Sequence, residues 1–226
     1  MPNFVYLTLD TTSPANPSLS ILGGATFATA QLVDLTIGTT DSDKSGYQMK
    51  VWGDVDTAYD TNIKATDALS TWITFNNSKQ VKLSAGDGSK TVYVKIRDDV
   101  YNESSIASDG ITLDTSIPTV TVTNPDVNKI SKMAGKNESS FTFTVDKQFG
   151  EYKVKVVSST GAAESTGATI GTANGSTNTS GNVGSYPAGT PITVKITGVD
   201  LETASSGDGQ KVIKVFAKDM TGKWSS

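Results

Sequence analysis

Acidic side chains that could hold a metal ion stand in the segment Asp41-Ser42-Asp43-Lys44-Ser45-Gly46. Carboxylates at the first and third positions and a glycine at the sixth match the first half of an EF-hand calcium loop. Such a loop also needs a bidentate glutamate at its twelfth position, where this chain has Trp52. The spacing therefore favours a polar turn over a calcium site, and we predict no metal ligands and no cofactor.

Two further aspartates, Asp87 and Asp208, each stand between two glycines. Carboxylates from the two turns could share a metal ion. A tight turn is the better explanation, because Asp hydrogen-bonds the nearby backbone and glycine adopts positive φ without a steric penalty. We therefore predict that both aspartates are turn residues.

Aromatic side chains suggest a third kind of site, a platform on which sugars stack. The candidates are Trp52, Tyr59, Trp72, Phe75 and Tyr101. Trp52 lies in an alternating run and Trp72 lies beside β-branched and aromatic residues, so packing explains both better than sugar binding does. Weak glycan binding stays open as an alternative.

The residue types that the chain lacks restrict its chemistry further. It has no Cys and no His, which excludes disulfides, thiolate nucleophiles, Ser-His-Asp triads and histidine-ligated zinc. No motif indicates a carboxylate pair or a Lys-based scheme, so we predict no catalytic residues and no enzyme. Arg97 is the only arginine and the net charge is -4, which argues against nucleic-acid binding. No apolar run approaches the ~20 residues that cross a bilayer, so we expect no membrane partner.

The elements that must position these residues have the pattern of short β-strands. Apolar and polar residues alternate in Tyr47–Trp52, Val81–Leu83 and Thr91–Ile96, and no stretch keeps a helical period with caps. Short strands spaced about 8–12 residues apart predict an all-β sandwich.

Three blocks of sequence occur twice in the same order, which indicates an internal repeat. The pairs are Leu9-Asp10-Thr11-Thr12-Ser13-Pro14 with Leu113-Asp114-Thr115-Ser116-Ile117-Pro118, Gly46–Val51 with Gly150–Val156, and Gly86–Val94 with Gly207–Val215. We predict an N-terminal strand or arm over residues 1–9, a first domain over 10–114 and a second domain over 115–226. The offset between the copies increases in the second domain, which predicts an insertion near 160–190. Because that region is mostly Gly, Thr, Ala, Ser and Asn, we expect a flexible loop there and no core segment.

The repeated pattern is a Gly-Asp-Gly turn, a Lys-x-Val-x-Val strand and an Asp-x-x-Gly-x-x-Ser turn. It resembles the bacterial immunoglobulin-like domains that occur in tandem on tailed-phage virion proteins and on bacterial surface proteins. Asp219-Met220-Thr221-Gly222-Lys223-Trp224-Ser225 matches the last turn well, whereas Asp98–Ser104 lacks the glycine. The resemblance implies two tandem immunoglobulin-like β-sandwiches without enzymatic activity.

This resemblance leaves three functions open. The first is a phage virion accessory subunit (head decoration, collar or tail) on the virion surface, with capsid or tail subunits as protein partners. The second is a stalk or adhesin segment on the bacterial cell surface, and the third is a carbohydrate-binding accessory module. Met1–Phe4 shows no basic or apolar secretory region, which we take to favour the virion subunit.

The two ends of the chain predict a protein interface. No closing strand follows the last turn of the second domain, so the edge at Val212, Ile213 and Val215 is expected to recruit a strand. A strand-like segment with Phe4, Val5, Tyr6 and Leu7 precedes the first domain. It could fill that edge in another copy, or a larger partner could supply the strand. Two alternatives remain: the natural chain continues past Ser226, or the N-terminal strand pairs within its own domain.

Overall fold

The computed structural model of the protein describes residues 4–181 and 184–226. The chain folds into two units, and the boundary between them lies between Thr115 and Ser116. We call them unit 1 and unit 2 and describe each by itself.

Unit 1 is built from short strands, all but one pair of them antiparallel, and one 3-10 helix. The strands are β1 Ser18–Ile21, β2 Phe27–Ala28, β3 Leu32–Gly38, β4 Gln48–Gly53, β5 Ile73–Thr74, β6 Ser78–Lys82, β7 Gly88–Arg97 and β8 Ala107–Leu113, with the 3-10 helix at Asp67–Leu69. They form a three-stranded sheet in the order β1-β3-β6 and a five-stranded sheet in the order β2-β8-β7-β4-β5.

The core of unit 1 lies between these two sheets. Along β3, Val33, Leu35 and Ile37 are buried while the residues between them are exposed or half-exposed, since side chains alternate faces along a strand. The strand β7 contributes Val92, Val94 and Ile96 from the facing sheet. Two sheets with alternating inward residues and this strand order make an immunoglobulin-like sandwich.

Unit 2 shares the two-sheet plan but has one helix, and its described residues include no counterpart of β2 or β8. Its elements are β9 Val120–Val122, β10 Glu138–Val145, β11 Phe149–Val157, β12 Ala168–Thr169, β13 Ser180–Gly181, β14 Ile192–Thr197, helix α1 Gly198–Ala204 and β15 Val212–Asp219. One sheet has the order β14-β10-β9, and in the other β11 pairs with β12 and β13 on one side and with β15 on the other. The aromatic side chains of Phe143, Phe149 and Tyr152 pack in the core between them. The predicted all-β class with two tandem sandwiches is confirmed.

The two units share their final turn in detail. The Ser104 hydroxyl accepts a hydrogen bond from the Ile96 N–H at 3.0 Å, and the Ser225 hydroxyl accepts one from the Ala217 N–H at 3.1 Å. Tyr101 in the first turn has a positive φ of 71°, where the second turn has Gly222 at 91°. The turn without the glycine therefore keeps the same backbone path.

The insertion differs from the prediction of a loop without core residues. Ile170 is fully buried in the core of unit 2, and β12 and β13 pair with β11. Residues 182–183 of this region lie outside the described residues. Helix α1 was also not predicted. It lies between β14 and β15, at a place where unit 1 has only residues 83–87.

Candidate protein-docking site

The outer edge of β15 is the most unusual feature of unit 2. In unit 1 the corresponding strand β7 is paired on both sides, with β4 and with β8. The strand β15 pairs with β11 along its whole length. Across residues 4–181 and 184–226, its other β-bridge is the one between Lys218 and Trp224, at its C-terminal end.

The backbone groups at this edge belong to alternate residues. The Ala217 carbonyl accepts the Ser225 N–H at 2.8 Å, so Ala217 directs its backbone groups away from β11. Because these directions alternate along a strand, Val215 and Ile213 also present their N–H and C=O groups outward. On the other side, Val154, which is paired with Val215, hydrogen-bonds Thr179 and Ile170 and so faces away from β15. The outward N–H and C=O groups of Ile213 and Val215 are thus positioned to hydrogen-bond an added strand.

An apolar cleft of about 390 Å³ opens beside this edge. Its lining includes Gly209, Lys211 and Ile213 from β15 and the residues before it, and Val127 and Ile130 from the segment after β9. Phe141, Ile196 and Leu201 also line it. Side chains of the core are therefore accessible between the edges of the two sheets.

In unit 1 the corresponding space holds β8. Ile111 and Leu113 of β8 are buried in the core, and Val92 of β7, which pairs with Asp109 of β8, is 0% exposed. In unit 2, Ile213, the counterpart of Val92 in the Gly-Asp-Gly alignment, is 36% exposed. Ile213 is therefore more accessible than its counterpart in unit 1.

The far wall of the cleft corresponds to β2. In unit 1, β2 pairs in parallel with β8. In unit 2 the chain after β9 passes through residues 127–130 without forming a described strand, and Val127 is 46% exposed. A strand placed in the cleft would have β15 on one side and this segment on the other.

The structure describes residues 4–9 of the predicted N-terminal strand, while Met1–Asn3 lie outside the described residues. No strand is assigned to residues 4–9. Phe4, Val5, Tyr6 and Leu7 are all exposed, Leu7 at 89%. They therefore form an unpaired arm with a strand-like sequence.

The acidic residues of the calcium-like segment serve as turn acceptors. The Asp41 carboxylate accepts hydrogen bonds from the Ala15 N–H, the Thr39 hydroxyl and the Tyr47 hydroxyl, the last at 3.1 Å. Burial and the hydrogen bond to Asp41 raise the pKa of Tyr47 to about 12. Within the described part of the chain, no group of three or more acidic residues could hold a metal ion.

The two Gly-Asp-Gly aspartates differ in their surroundings. The Asp87 carboxylate accepts hydrogen bonds from the Thr115 N–H at 2.8 Å and from the Thr115 hydroxyl at 2.7 Å. Asp208 is exposed and lies beside the open cleft, next to Gly209. Asp87 thus fixes the chain just after β8.

Three of the aromatic candidates, Trp52, Trp72 and Tyr101, lie on the outer face of the five-stranded sheet, beside Tyr93 and Arg97. Trp52 is buried and stacks on Tyr93, with ring centroids 5.7 Å apart, and Phe75 packs against the core. The Arg97 guanidinium lies 4.4 Å from the Trp72 ring and 4.3 Å from the Tyr101 ring. Cation–π contacts therefore engage both rings.

A buried carboxylate joins the insertion to helix α1. Asp200 is 2% exposed and accepts hydrogen bonds from Asn174, Ser176 and the Thr197 hydroxyl. Burial alone raises the pKa of Asp200, but these hydrogen bonds outweigh it and lower the pKa to about 2. Thr197 in turn caps the helix by accepting the Asp200 N–H. The network holds α1, and with it Leu201 at the cleft.

Sequence reasoning named the edge and the arm, whose role as an interface stays a prediction, but it missed the other residues that line the cleft. Thr197-x-x-Asp200 is a capping-box signal for a helix and could have revealed α1. Val127 and Ile130 could have been found by aligning the segment after β9 with β2. None of the described helices is long and apolar enough to span a membrane.

No protein-family model matches the chain, and no curated protein matches it. Among solved structures, the fibronectin(III)-like modules of Clostridium thermocellum CbhA align with 13% identity and a TM-score of 0.40, covering 92% of this chain and 89% of that one. The D00-D0 domain of intimin aligns with 16% identity and a TM-score of 0.33, covering 92% of this chain and 95% of that one. A carbohydrate-binding module of the β-sandwich superfamily aligns with 12% identity and a TM-score of 0.37, covering 96% of this chain and 100% of that one. These TM-scores are low, so the fold class rests on the strand order and register within each unit.

Proposed function

We propose that this chain is a non-enzymatic structural subunit that joins a larger assembly by accepting a β-strand at the edge of unit 2. The observation that supports this is the outer edge of β15, where Ile213 and Val215 direct backbone groups outward beside an apolar cleft. A strand added to an exposed sheet edge gains main-chain hydrogen bonds, and pockets for alternate side chains give specificity. The cleft supplies such a pocket.

The assembly that we propose is the exterior of a tailed-phage virion, with the chain as a head decoration, collar or tail accessory subunit. The motif resemblance and the two tandem sandwiches support this choice. Antibodies against the purified chain, applied to intact phage particles and to intact cells of the same source, test it in electron micrographs. We expect label on particles. Label confined to the cell surface would favour the stalk or adhesin instead.

Strand acceptance can be tested without knowing the partner. The chain is extended after Ser226 with a copy of residues 106–115, which carries β8 and the Thr that follows it. We expect the thermal midpoint of unit 2 to rise, because the copied strand buries apolar side chains in the cleft and pairs with β15. A control extension has Asp at the positions copied from Ile111 and Leu113. Equal midpoints for both extended chains would contradict the proposal.

A further inference from the structure

The N-terminal arm is the sequence counterpart of β8. Leu9 precedes Asp10-Thr11-Thr12-Ser13-Pro14 as Leu113, the last residue of β8, precedes Asp114-Thr115-Ser116-Ile117-Pro118. In this alignment Leu7 corresponds to Ile111 and Leu9 to Leu113, and both counterparts are buried core residues. The arm therefore has apolar residues at the positions that a closing strand directs into a core.

In unit 1 the position between β7 and β2 is already occupied by β8. Residues 4–9 are exposed throughout, and Leu7 and Leu9 are among the most exposed apolar side chains described. The chain is first held at residue 10, where the Asn102 side-chain amide donates to the Asp10 carbonyl at 3.3 Å. Among the described residues of unit 2, β15 is the counterpart of β7 and no strand corresponds to β8.

We infer that residues 4–9 of one copy form the closing strand of unit 2 in a second copy, between β15 and residues 127–130. This rests on the proposed function, since it names the strand that the open edge accepts. The register follows from unit 1, where Gly88, Lys90 and Val92 pair with Leu113, Ile111 and Asp109. The Gly-Asp-Gly alignment carries these pairs over to Gly209 with Leu9, Lys211 with Leu7, and Ile213 with Val5.

This register fits the cleft in two respects. Gly209, Lys211 and Ile213, the partners of the three inward-facing arm residues, all line it. The outward backbone groups at Ile213 match the arm residue Val5, as those of Val92 match Asp109 in the β7–β8 pair. Alternate residues Val5, Leu7 and Leu9 thus enter the core while Tyr6 and Thr8 stay on the outer face.

The residue that follows the arm also matches the turn contact of unit 1. In unit 1, Thr115 follows β8 by two residues and hydrogen-bonds Asp87. Thr11 follows the arm by the same interval, and Asp208 is the counterpart of Asp87. When the arm binds, Thr11 hydrogen-bonds the exposed Asp208 as Thr115 hydrogen-bonds Asp87. Because donor and acceptor surfaces differ, the contact is heterologous and builds rings or chains of subunits.

Disulfide trapping in the full chain tests the register, and the absence of Cys from the sequence gives a clean background. Thr8→Cys and Gln210→Cys are combined, because Ser89 and Thr112, their counterparts, are directly paired on the outer face. The α-carbons of such a pair lie about 4.5–5.5 Å apart, within the range that a disulfide spans. The matched control combines Thr8→Cys with Lys214→Cys, on the same face but about 13 Å along the strand.

Under mild oxidation we expect the first double variant to give a ladder of covalent dimers and larger species on a non-reducing gel, and the control to stay monomeric. Equal cross-linking in the two variants, or a disulfide confined to monomers, would overturn the inference. So would the absence of cross-links in both. If neither variant cross-links but the chain extended with residues 106–115 is stabilised, the edge accepts a strand from another protein. The proposed function then stands without this inference. If the extension also fails, both fall.

Discussion

Thr115 donates its backbone N–H and its hydroxyl to the Asp87 carboxylate, at 2.8 and 2.7 Å. These hydrogen bonds fix the chain immediately after the closing strand β8 to the turn immediately before β7. The relationship defines how a complete sandwich closes in this protein. It also gives the pattern against which unit 2 is compared.

Replacing Asp87 and Asp208 separately should have different effects. Asp87→Ala removes two hydrogen bonds to a charged acceptor, so we expect unit 1 to lose about 1–2 kcal/mol of unfolding free energy. Asp208→Ala should leave the stability of the isolated monomer unchanged and weaken self-association. Denaturant unfolding and sedimentation at several concentrations measure the two effects. Equal loss of monomer stability in both variants would be inconsistent with this account.

Ile170 is a core residue despite its Gly- and Thr-rich surroundings. Ile170→Ala should cost about 2–5 kcal/mol in the unfolding of unit 2, because it leaves a cavity in a packed core. Ile117→Ala, at an exposed position of the same unit, is the control and should stay within about 0.5 kcal/mol of the parent chain. Similar effects for the two variants would mean that residues 160–190 do not contribute to the core.

Acid should destabilise unit 2 through Asp200. Its pKa in the folded protein, about 2, lies below the ordinary carboxyl value of 3.8. The ionised form therefore stabilises the fold above pH ~4, and this contribution is lost as the pH falls from about 4 to about 2. Asp200→Asn should reduce stability at neutral pH by about 1–3 kcal/mol and flatten the acid dependence. Unfolding curves of both proteins from pH 7 to pH 2 measure this, and parallel curves would exclude the role of Asp200.

Chelation should not change the stability of the protein. The Asp41 carboxylate is engaged by Ala15, Thr39 and Tyr47, so the loop keeps its shape through hydrogen bonds. We expect the same thermal midpoint with and without EDTA. A fall of several degrees would indicate a bound ion, because a ligand that binds only the folded state raises its stability.

How far the sequence determines this structure depends on the range of each signal. Alternation at Thr91–Ile96 and the repeated Gly-Asp-Gly turns predict β7, β15 and their order, because both patterns are local. The burial of Ile170 could not be predicted, since a single apolar residue in a polar tract has no period. The positive φ of Tyr101 could not be predicted either, because the surrounding turn imposes this backbone conformation on a residue type that does not favour it. The cleft depends on segments distant in sequence, such as residues 127–130 and β15.

The central claim is that a strand of another subunit pairs with the outer edge of β15, and amide hydrogen exchange at this strand tests it most directly. The Ile213 and Val215 amides point outward, while those of Val212 and Lys214 face β11 and serve as internal controls. Leu7→Pro removes a donor and blocks the arm, whereas Leu7→Val keeps both the N–H and an apolar side chain.

We predict that Ile213 and Val215 are protected in the parent chain and in Leu7→Val, increasingly with protein concentration, and that Leu7→Pro loses this protection. Val212 and Lys214 should stay protected in all three proteins. Fast exchange at Ile213 and Val215 in the parent chain at every concentration, or equal protection in Leu7→Pro, would contradict the account.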